Sequence, residues 1–467
     1  MEFSKSDQIE FFEDKVIHQS AGGFVFYESE YGHILYIALL QKPDGKFYIP
    51  KGHILKNEKP EQAALREIKE ELVLDKNPEV VAKIGIDSYS FTLPDDKRMH
   101  YKNVHLYVFN LSQKEDIKPL ENEDFIKAEW LEFNEAKGKM AFDKENLLKA
   151  RRCFYFHKPV KKFGTLKDIQ SISIGIPTYN GEKTIYQTLV SVTTSLEYLP
   201  QYIEKEIIVC TDHCNDNTKQ MIKKFIFHKK QNDIIFKLLN NDGTKGKSTV
   251  LNEIFKSSKS DLFCIVDDDV ILENNCFLNL INSLIIRKDL ICVFAKWKKR
   301  PLDSKNLWKK FWHWILGIKF DIQPYDKSSE MMRGPCLMFR RENFVYLPNN
   351  LLNEDQFLQY VYWPNTKEVE NAIIYFNSVS SITDYYKRFI RIMAGSKQLK
   401  NEFPEERIKE CNKDLYRKID YKRISRLPLR QKLPFCFYRF IRFFINIVVK
   451  IRLGINENYE WFRIKQN

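Results

Sequence analysis

Apolar residues in the first third of the chain cluster in short runs bounded by polar and turn residues. Runs rich in β-branched and aromatic residues at 21–27 (AGGFVFY), 34–41 (ILYIALLQ), 80–86, 89–93 and 104–111 predict strands. Between them, Ala63, Ala64, Leu65, Ile68 and Leu72 recur with helical spacing behind Pro60, which suits a first helical turn. A strand at 130–133 and a helix at 144–152 complete this part. From residue 171 the rhythm changes to apolar strands followed by helices, at 171–177 (SISIGIP), 206–211 (EIIVCT) and 261–266 (DLFCIV). That alternation predicts a parallel sheet with ligands bound beyond the carboxyl ends of its strands. The basic, Pro- and Gly-containing stretch 157–166 (HKPVKKFGTL) reads as a connection. The patterns divide the chain into residues 1–155, a linker 156–170, a second domain 171–400 and a tail 401–467.

A length of 467 residues, 43% of them apolar, agrees with two or three domains. The nine cysteines lack the paired spacing of a zinc site and fit free thiols of a reducing cytoplasm. The first residues, MEFSKSDQIEFFEDK, have no apolar core of the signal-peptide kind. The net charge is +13, and residues 381–467 hold 21 Lys and Arg against 9 Asp and Glu. An excess so localised points to an anionic partner for the tail, a membrane surface or nucleic acid.

Candidate chemistry begins at residues 52–74 (GHILKNEKPEQAALREIKEELVL). On the expected helix Glu67, Glu70 and Glu71 fall at i, i+3 and i+4, on one face. Alone, such a cluster is either a solvated acidic surface or a site for a hard divalent cation, because crowded carboxylates repel one another unless a cation sits among them. Gly52, Glu58, Arg66, Glu67, Glu70 and Glu71 stand in the pattern G-x5-E-x7-R-E-U-x-E-E-x-G-U, where U is a bulky aliphatic. This resembles the signature of Nudix hydrolases, which cleave nucleoside diphosphates linked to another moiety. The resemblance implies an α/β/α sandwich in which Glu67, Glu70 and Glu71 hold catalytic Mg2+ or Mn2+. It also implies that Glu58 and Arg66 pair to hold the loop, with Lys51 and Gly52 beside a substrate phosphate. Val73 replaces the usual glycine, and a β-branched residue resists a left-handed helix end, so a different termination is expected. His53, His100 and His105 read either as ordinary packing residues or as signs of a branch cleaving dinucleoside polyphosphates; a nucleotide sugar is equally compatible.

In the second domain each of the three strands ends in polar residues, TYNGE, DHCNDNT and DDDV. Asp267, Asp268 and Asp269 alone would suit a turn or cap as well as a metal. With IPTYNGE, TDHCNDNT and the later NEDQF they resemble family 2 glycosyltransferases of GT-A fold, over about residues 171–395. That resemblance implies Pro177, Tyr179 and Glu182 in the loop holding the nucleotide, Asp212 at its base or ribose, and Lys247 and Asn252 toward the donor. It makes Asp267 and Asp269 the D-x-D pair around Asp268, with Asp269 the stronger ligand for Mg2+ or Mn2+. It places Glu354 beside Asp355, the base that deprotonates an acceptor hydroxyl for inverting attack. Lys387, Arg388 and Arg391 resemble the basic motif near the diphosphate. They lack the full Q-x-x-R-W of processive synthases, which argues against a polymerase.

Two helical stripes follow. Trp308, Phe311, Trp312, Ile315 and Leu316 recur as one amphipathic face. Over 434–454, Arg439, Arg442, Asn446 and Lys450 share a narrow polar face among Phe, Ile and Val. Charges inside that span argue against a transmembrane helix. A helix in the membrane interface, with its basic residues toward lipid phosphates, is expected; a helix docked on the protein's own core is the alternative.

The expected fold class is α/β, a Nudix sandwich followed by a Rossmann-like GT-A domain and a basic amphipathic tail. The expected function is bifunctional, hydrolysis of a nucleoside-diphosphate-linked compound and transfer from a nucleotide-diphospho-sugar to an acceptor hydroxyl. A lipid-linked acceptor or an anionic membrane is the expected further partner, with the chain cytoplasmic and peripheral on the inner membrane face. The rivals are a Nudix-like domain that only senses nucleotide, and nucleic-acid binding by the tail, for which no recognisable motif is present.

Overall fold

The computed structural model describes residues 7–29, 34–121, 124–141, 143–158, 160–228, 233–322, 332, 334–415 and 428–455. The chain forms two compact units, Met1–Lys158 and Pro159–Asn467.

The first unit runs β1 (Ile9–Phe11), β2 (Lys15–Glu28), β3 (Leu35–Gln41), β4 (Phe47–Tyr48), β5 (Lys51–His53), α1 (Pro60–Leu72), β6 (Glu79–Leu93), β7 (Asp96–Asn110), β8 (Lys127–Glu132), α2 (Phe133–Lys139) and α3 (Lys144–Phe156). Its sheet is ordered β4-β3-β2-β7-β6, with β1 and β5 on β2 and β8 on β3. Strand alternation supplies both faces of a sandwich. Val25 packs with Ala63, Ala64, Ile68 and Leu72 of α1. The next residue, Phe26, meets Phe154 of α3 at 5.3 Å between ring centroids. The runs at 80–86 and 89–93 are one strand, not two. Register shifts at Val80/Ala82, Lys83/Gly85 and Phe91/Leu93 reset its alternation, which is why the pattern looks interrupted.

Helix α1 corrects a second expectation. Val73 does take the left-handed conformation, at φ 51° and ψ 54°. Its N–H reaches the Glu70 carbonyl at 3.3 Å, and the Leu74 N–H reaches that of Lys69 at 3.1 Å, closing a Schellman motif. Burial of Leu74 in the core behind α1 holds this geometry despite the branched side chain.

The second unit runs β9 (Ser171–Thr178), α4 (Ile185–Glu197), β10 (Glu204–Asp212), α5 (Thr218–His228), β11 (Ile234–Asn241), α6 (Lys247–Ser257), β12 (Leu262–Val266), β13 (Val270–Leu272), α7 (Cys276–Ile286), β14 (Cys292–Lys299), α8 (Leu307–Ile322), β15 (Cys336–Arg340), α9 (Glu354–Tyr362), β16 (Thr366–Phe376), α10 (Ile382–Leu399), α11 (Glu405–Leu415) and α12 (Leu429–Ile455). The sheet order is β11-β10-β9-β12-β15-β14-β16-β13. Strands β9 to β12 are parallel, as the alternation predicts, but β15 enters antiparallel beside β12, so the sheet is mixed. Ile172, Ile174 and Ile176 of β9 pack beneath α4, α5 and α7. On the other face Gly175 admits α6, where a Cβ would lie 2.5 Å from Ile254 Cγ2.

Helix α12 docks on the protein's own core, through Tyr438, Ile441, Ile445 and Val449 against α8 and α10. Arg439 and Arg442 are exposed on the adjoining stripe; the Lys450 side chain lies outside the described residues. None of the described helices is long and apolar enough to cross a membrane.

Replacing Val73 with Gly tests the cost of this helix end. A left-handed non-glycine residue costs about 1–2 kcal/mol, and glycine gives back roughly 0.4–1 kcal/mol in unfolded-chain entropy. Chemical denaturation should therefore show the first unit stabilised by up to about 1.6 kcal/mol; a loss of stability would show that the Schellman end is unstrained.

Candidate active sites

In the first unit, Gly52 on β5 passes directly over α1. A Cβ there would fall 2.0 Å from Glu67 Oε2, so only glycine lets the carboxylate reach this place. Arg66 is the hub. Its Nε and Nη2 donate to the two Glu58 oxygens, each at 3.0 Å, and Nη2 also donates to the His53 carbonyl at 2.9 Å. Its Nη1 donates to Glu67 at 2.7 Å and to Glu70 at 3.2 Å. Glu58 in turn accepts the Leu55 N–H at 3.0 Å. The hydrogen bond from Arg66 holds Glu58 below the usual glutamate range. Burial pushes Glu67 up, against the pull of Arg66. Glu71 is buried and accepts the Lys51 N–H at 2.8 Å.

Residues that the sequence pattern does not single out complete this surface. The Lys51 ammonium lies 5.2 Å from the Tyr89 ring centroid. Tyr89 of β6 is paired with Lys102 of β7, so the two share one face. Burial, with Lys51 next in weight, lowers Lys102 to about 8, while Glu71 and Glu67 oppose the fall. His18 links His100 at 2.8 Å and His53 at 3.2 Å. Burial and these two neighbours bring His18 down to about 4. His105 stands apart from this chain, beside Lys83 at 2.9 Å.

In the second unit a cavity of about 440 Å3 opens at the carboxyl ends of β9, β10 and β12. It is lined by Pro177, Tyr179, Asp212 and Lys247, by Asp267, Asp268 and Asp269, and by Arg388 and Arg391. Asp212 is buried and accepts from Asn241 at 2.9 Å and from the Gly246 N–H at 3.0 Å. Thr178 donates its hydroxyl to Asp268, while the Asp267 N–H donates to the Pro335 carbonyl at 3.0 Å.

Lys247 donates to Asp267 Oδ1 at 2.7 Å and is ion-paired with Glu354. Burial opposes its charge, yet the two carboxylates hold the ammonium well above the usual lysine range. Asp355 accepts the Gly334 N–H at 3.3 Å and the Gln356 N–H at 2.8 Å. Burial, reinforced by Glu354, raises its pKa against Lys247 and Arg391. Burial and Arg391 lower Arg388, which feels the opposing charges of Asp269 and Asp355.

Five expected residues are not among those that line the cavity: Glu354 adjoins it through Lys247, Asp355 sits beside Gly334, and three others serve elsewhere. Glu182 does not line the cavity; it accepts the Asn217 N–H at 3.0 Å and donates its own N–H to Asp216 at 3.2 Å, tying two loops. Asn252 is buried and exchanges two hydrogen bonds with the Leu347 backbone, each 2.9 Å. Lys387 is exposed and stays out of the cavity lining.

Residues 17–150 match the NUDIX domain family, and residues 173–346 match the glycosyl transferase family 2. The chain joins a NUDIX domain to a family 2 glycosyltransferase domain. A poly-beta-1,6-N-acetyl-D-glucosamine synthase of Staphylococcus epidermidis is 33% identical over 129 residues, 26% of this chain and 29% of that protein. The chain spans about a third or less of the length of the curated relatives it matches. A solved mannosyltransferase of Pyrobaculum calidifontis, in complex with GDP-mannose and Mn2+, aligns over 65% of this chain and 84% of its own, at 14% identity and TM-score 0.39. An Ap4A hydrolase of C. elegans aligns over 29% of this chain and 96% of its own, at 20% identity and TM-score 0.24.

The glycosyltransferase cavity also draws Arg300 from beyond β14 and His313 from α8. Neither belongs to a local motif, since each is delivered by a separate element of the mixed sheet half.

Two outcomes follow from these geometries. Gly52→Ala would push the Glu67 carboxylate aside by an ångström or more, and should lower NUDIX turnover about 10²-fold with transfer unchanged; full hydrolysis by this variant would refute the cradle. If Asp355 is the base, only its ionised form works, and its raised pKa moves loss of activity to higher pH. The acid limb of kcat/KM for transfer should therefore lie above the ordinary aspartate value of about 3.9, and an acid limb at or below that value would remove Asp355 from the role.

Proposed function

We propose that the chain is a bifunctional enzyme, hydrolysing a nucleoside-diphosphate-linked compound in its NUDIX unit and transferring a sugar in its glycosyltransferase unit. The observation that carries this reading is shared by both units. Each gathers acidic side chains around one fixed cation, Arg66 or Lys247, with further basic side chains close by, Lys51 and Lys102 in the first unit and Arg388 and Arg391 in the second.

The donor sets fit Mg2+ or Mn2+. Glu67, Glu70 and Glu71 offer only oxygen, and Gly52 leaves the room that Glu67 occupies. Asp267 and Asp269 do the same at the end of β12, where Asp267 already carries the Lys247 ammonium. Among the described residues no three ligand-type side chains enclose a metal by themselves. A cation in either unit would thus be shared with substrate phosphates, supplying charge that stabilises the departing diphosphate.

The protein's own groups have separable tasks. Arg66 fixes Glu58, Glu67 and Glu70, while Lys51 and Lys102 present positive charge to phosphate. In the transferase, Pro177, Tyr179 and Asp212 border the nucleotide, and Arg388 and Arg391 face the diphosphate of a nucleotide sugar. Asp355 removes the proton of the acceptor hydroxyl as its oxygen attacks the anomeric carbon, with inversion. The acceptor is membrane-proximal and the protein peripheral on the membrane, a reading supported by the basic excess after residue 381. Val73 does not favour a mere nucleotide sensor, because its left-handed turn ends α1 after Leu72 and leaves the helix that carries Glu67, Glu70 and Glu71 intact.

The test is turnover of a panel of nucleotide sugars and dinucleoside polyphosphates with Mg2+ or Mn2+, followed by transfer to a hydroxyl acceptor. Glu70→Gln with Glu71→Gln should abolish phosphate-bond cleavage alone. Asp269→Ala or Asp355→Asn should abolish transfer alone. Full transfer by both aspartate variants, or full cleavage by the glutamate pair, would sink the corresponding half.

A further inference from the structure

Helix α12 presents more apolar surface than its own fold covers. Tyr438, Ile441, Ile445 and Val449, spaced 3, 4 and 4, pack against Ile315, Leu316 and Ile318 of α8 and Tyr385 and Ile390 of α10. One residue onward, about 100° round the helix, Arg439 and Arg442 form an exposed basic stripe. A third stripe, more than 100° from either, holds Leu433, Phe437, Phe440, Phe444, Ile447 and Ile451. This stripe is open: Leu433 is 62% exposed, Phe440 59% and Ile451 60%, and the flanking Phe443 is 60% exposed. From residue 433 to 451 it extends about 27 Å at 1.5 Å per residue. A contiguous apolar strip of that length on a monomer marks an interaction surface.

Its chemistry selects the occupant. The 27 residues of α12 contain six Lys and Arg and no Asp or Glu. Phe-rich apolar surface beside the exposed pair Arg439 and Arg442 matches acyl chains below and anionic headgroups alongside. Trp308 and Trp314 are exposed on the neighbouring α8, and tryptophan favours the level of the headgroups. None of the described helices is long and apolar enough to cross a bilayer, so a membrane-bound α12 would lie in the plane of the interface.

The supporting helices connect this face to the catalytic cavity. Helix α8 contributes His313 to the cavity and α10 contributes Arg388 and Arg391, while both pack on α12. We propose that the outer stripe of α12 seats in the interface of an anionic bilayer, and that the hydroxyl offered to Asp355 belongs to a lipid-anchored acceptor. The second clause rests on the transferase reading above; the docking does not.

The experiment is co-sedimentation of the full chain with vesicles of phosphatidylcholine, with and without phosphatidylglycerol. Wild type should sediment with the anionic vesicles. Phe440→Ser with Phe444→Ser should weaken this on the order of tenfold or more, and Arg439→Gln with Arg442→Gln should remove the preference for phosphatidylglycerol. Both pairs are exposed, and unchanged melting together with an unchanged circular-dichroism spectrum would show that they fold. Equal sedimentation of the serine variant, or no sedimentation of wild type, overturns the docking. Concentration-dependent dimerisation lost in the serine variant also overturns it, assigning the face to a second copy. Vesicle binding with transfer to soluble hydroxyl acceptors, and none to lipid-bearing ones, overturns the acceptor clause alone. Vesicle binding by a protein that turns over no nucleotide sugar instead counts against the transferase reading and leaves the docking in place.

Discussion

Crowding carboxylates into a partly dry pocket is the constraint on which both units depend. Two like charges 4 Å apart repel by about 4 kcal/mol at an effective dielectric constant of 20. Each unit meets this with a cation that the backbone cannot easily lose. Arg66 reaches Glu58, Glu67 and Glu70 at once, because its planar fork offers several donors. Lys247, a compact charge at the start of α6, bridges Asp267 at the end of β12 to Glu354 at the start of α9. Remove either, and the elements it joins would carry uncompensated charge.

The two solutions differ in what they join. Arg66 holds Glu58, Glu67 and Glu70 through one planar group, so a loop and a helix face share a single charge. Lys247 commits one oxygen of Asp267 and holds Glu354 as well, so the end of β12 and the start of α9 share one cation. Arg388 adds the opposing charge felt by Asp269 and Asp355. A diphosphate arriving with its metal would thus enter a field in which both signs are already fixed, and little reorganisation is required.

What could be read in the sequence follows the range of each interaction. Glu58, Arg66 and Glu67 meet within one loop and helix turn, so their spacing reveals their geometry. Strand ends are nearly as direct, since an apolar run followed by polar residues locates Asp212 and Asp267. Lys102, Tyr89 and His18 are different. They reach the NUDIX site only through the pairing of β7 with β6 and β2, and nothing local marks them. Glu182 and Asn252 show the converse, where residues inside a matching motif serve loops and not the cavity. The Val73 expectation failed because intrinsic preference lost to tertiary burial of Leu74.

Helix α12 carries the same lesson into function. Its apolar residues run almost all round, so periodicity identifies a helix without saying which stripe faces what. Packing on α8 and α10 makes that assignment, covering one stripe and leaving another open. Because those two helices also line the cavity, α12 is joined to the active site through packed side chains and not through a flexible connection. A surface held by α12 would therefore be registered against Arg388, Arg391 and His313 by the fold itself. On the proposed docking, the orientation of an acceptor is set by packing, which is the kind of preorganisation that a tether of equal length would not give.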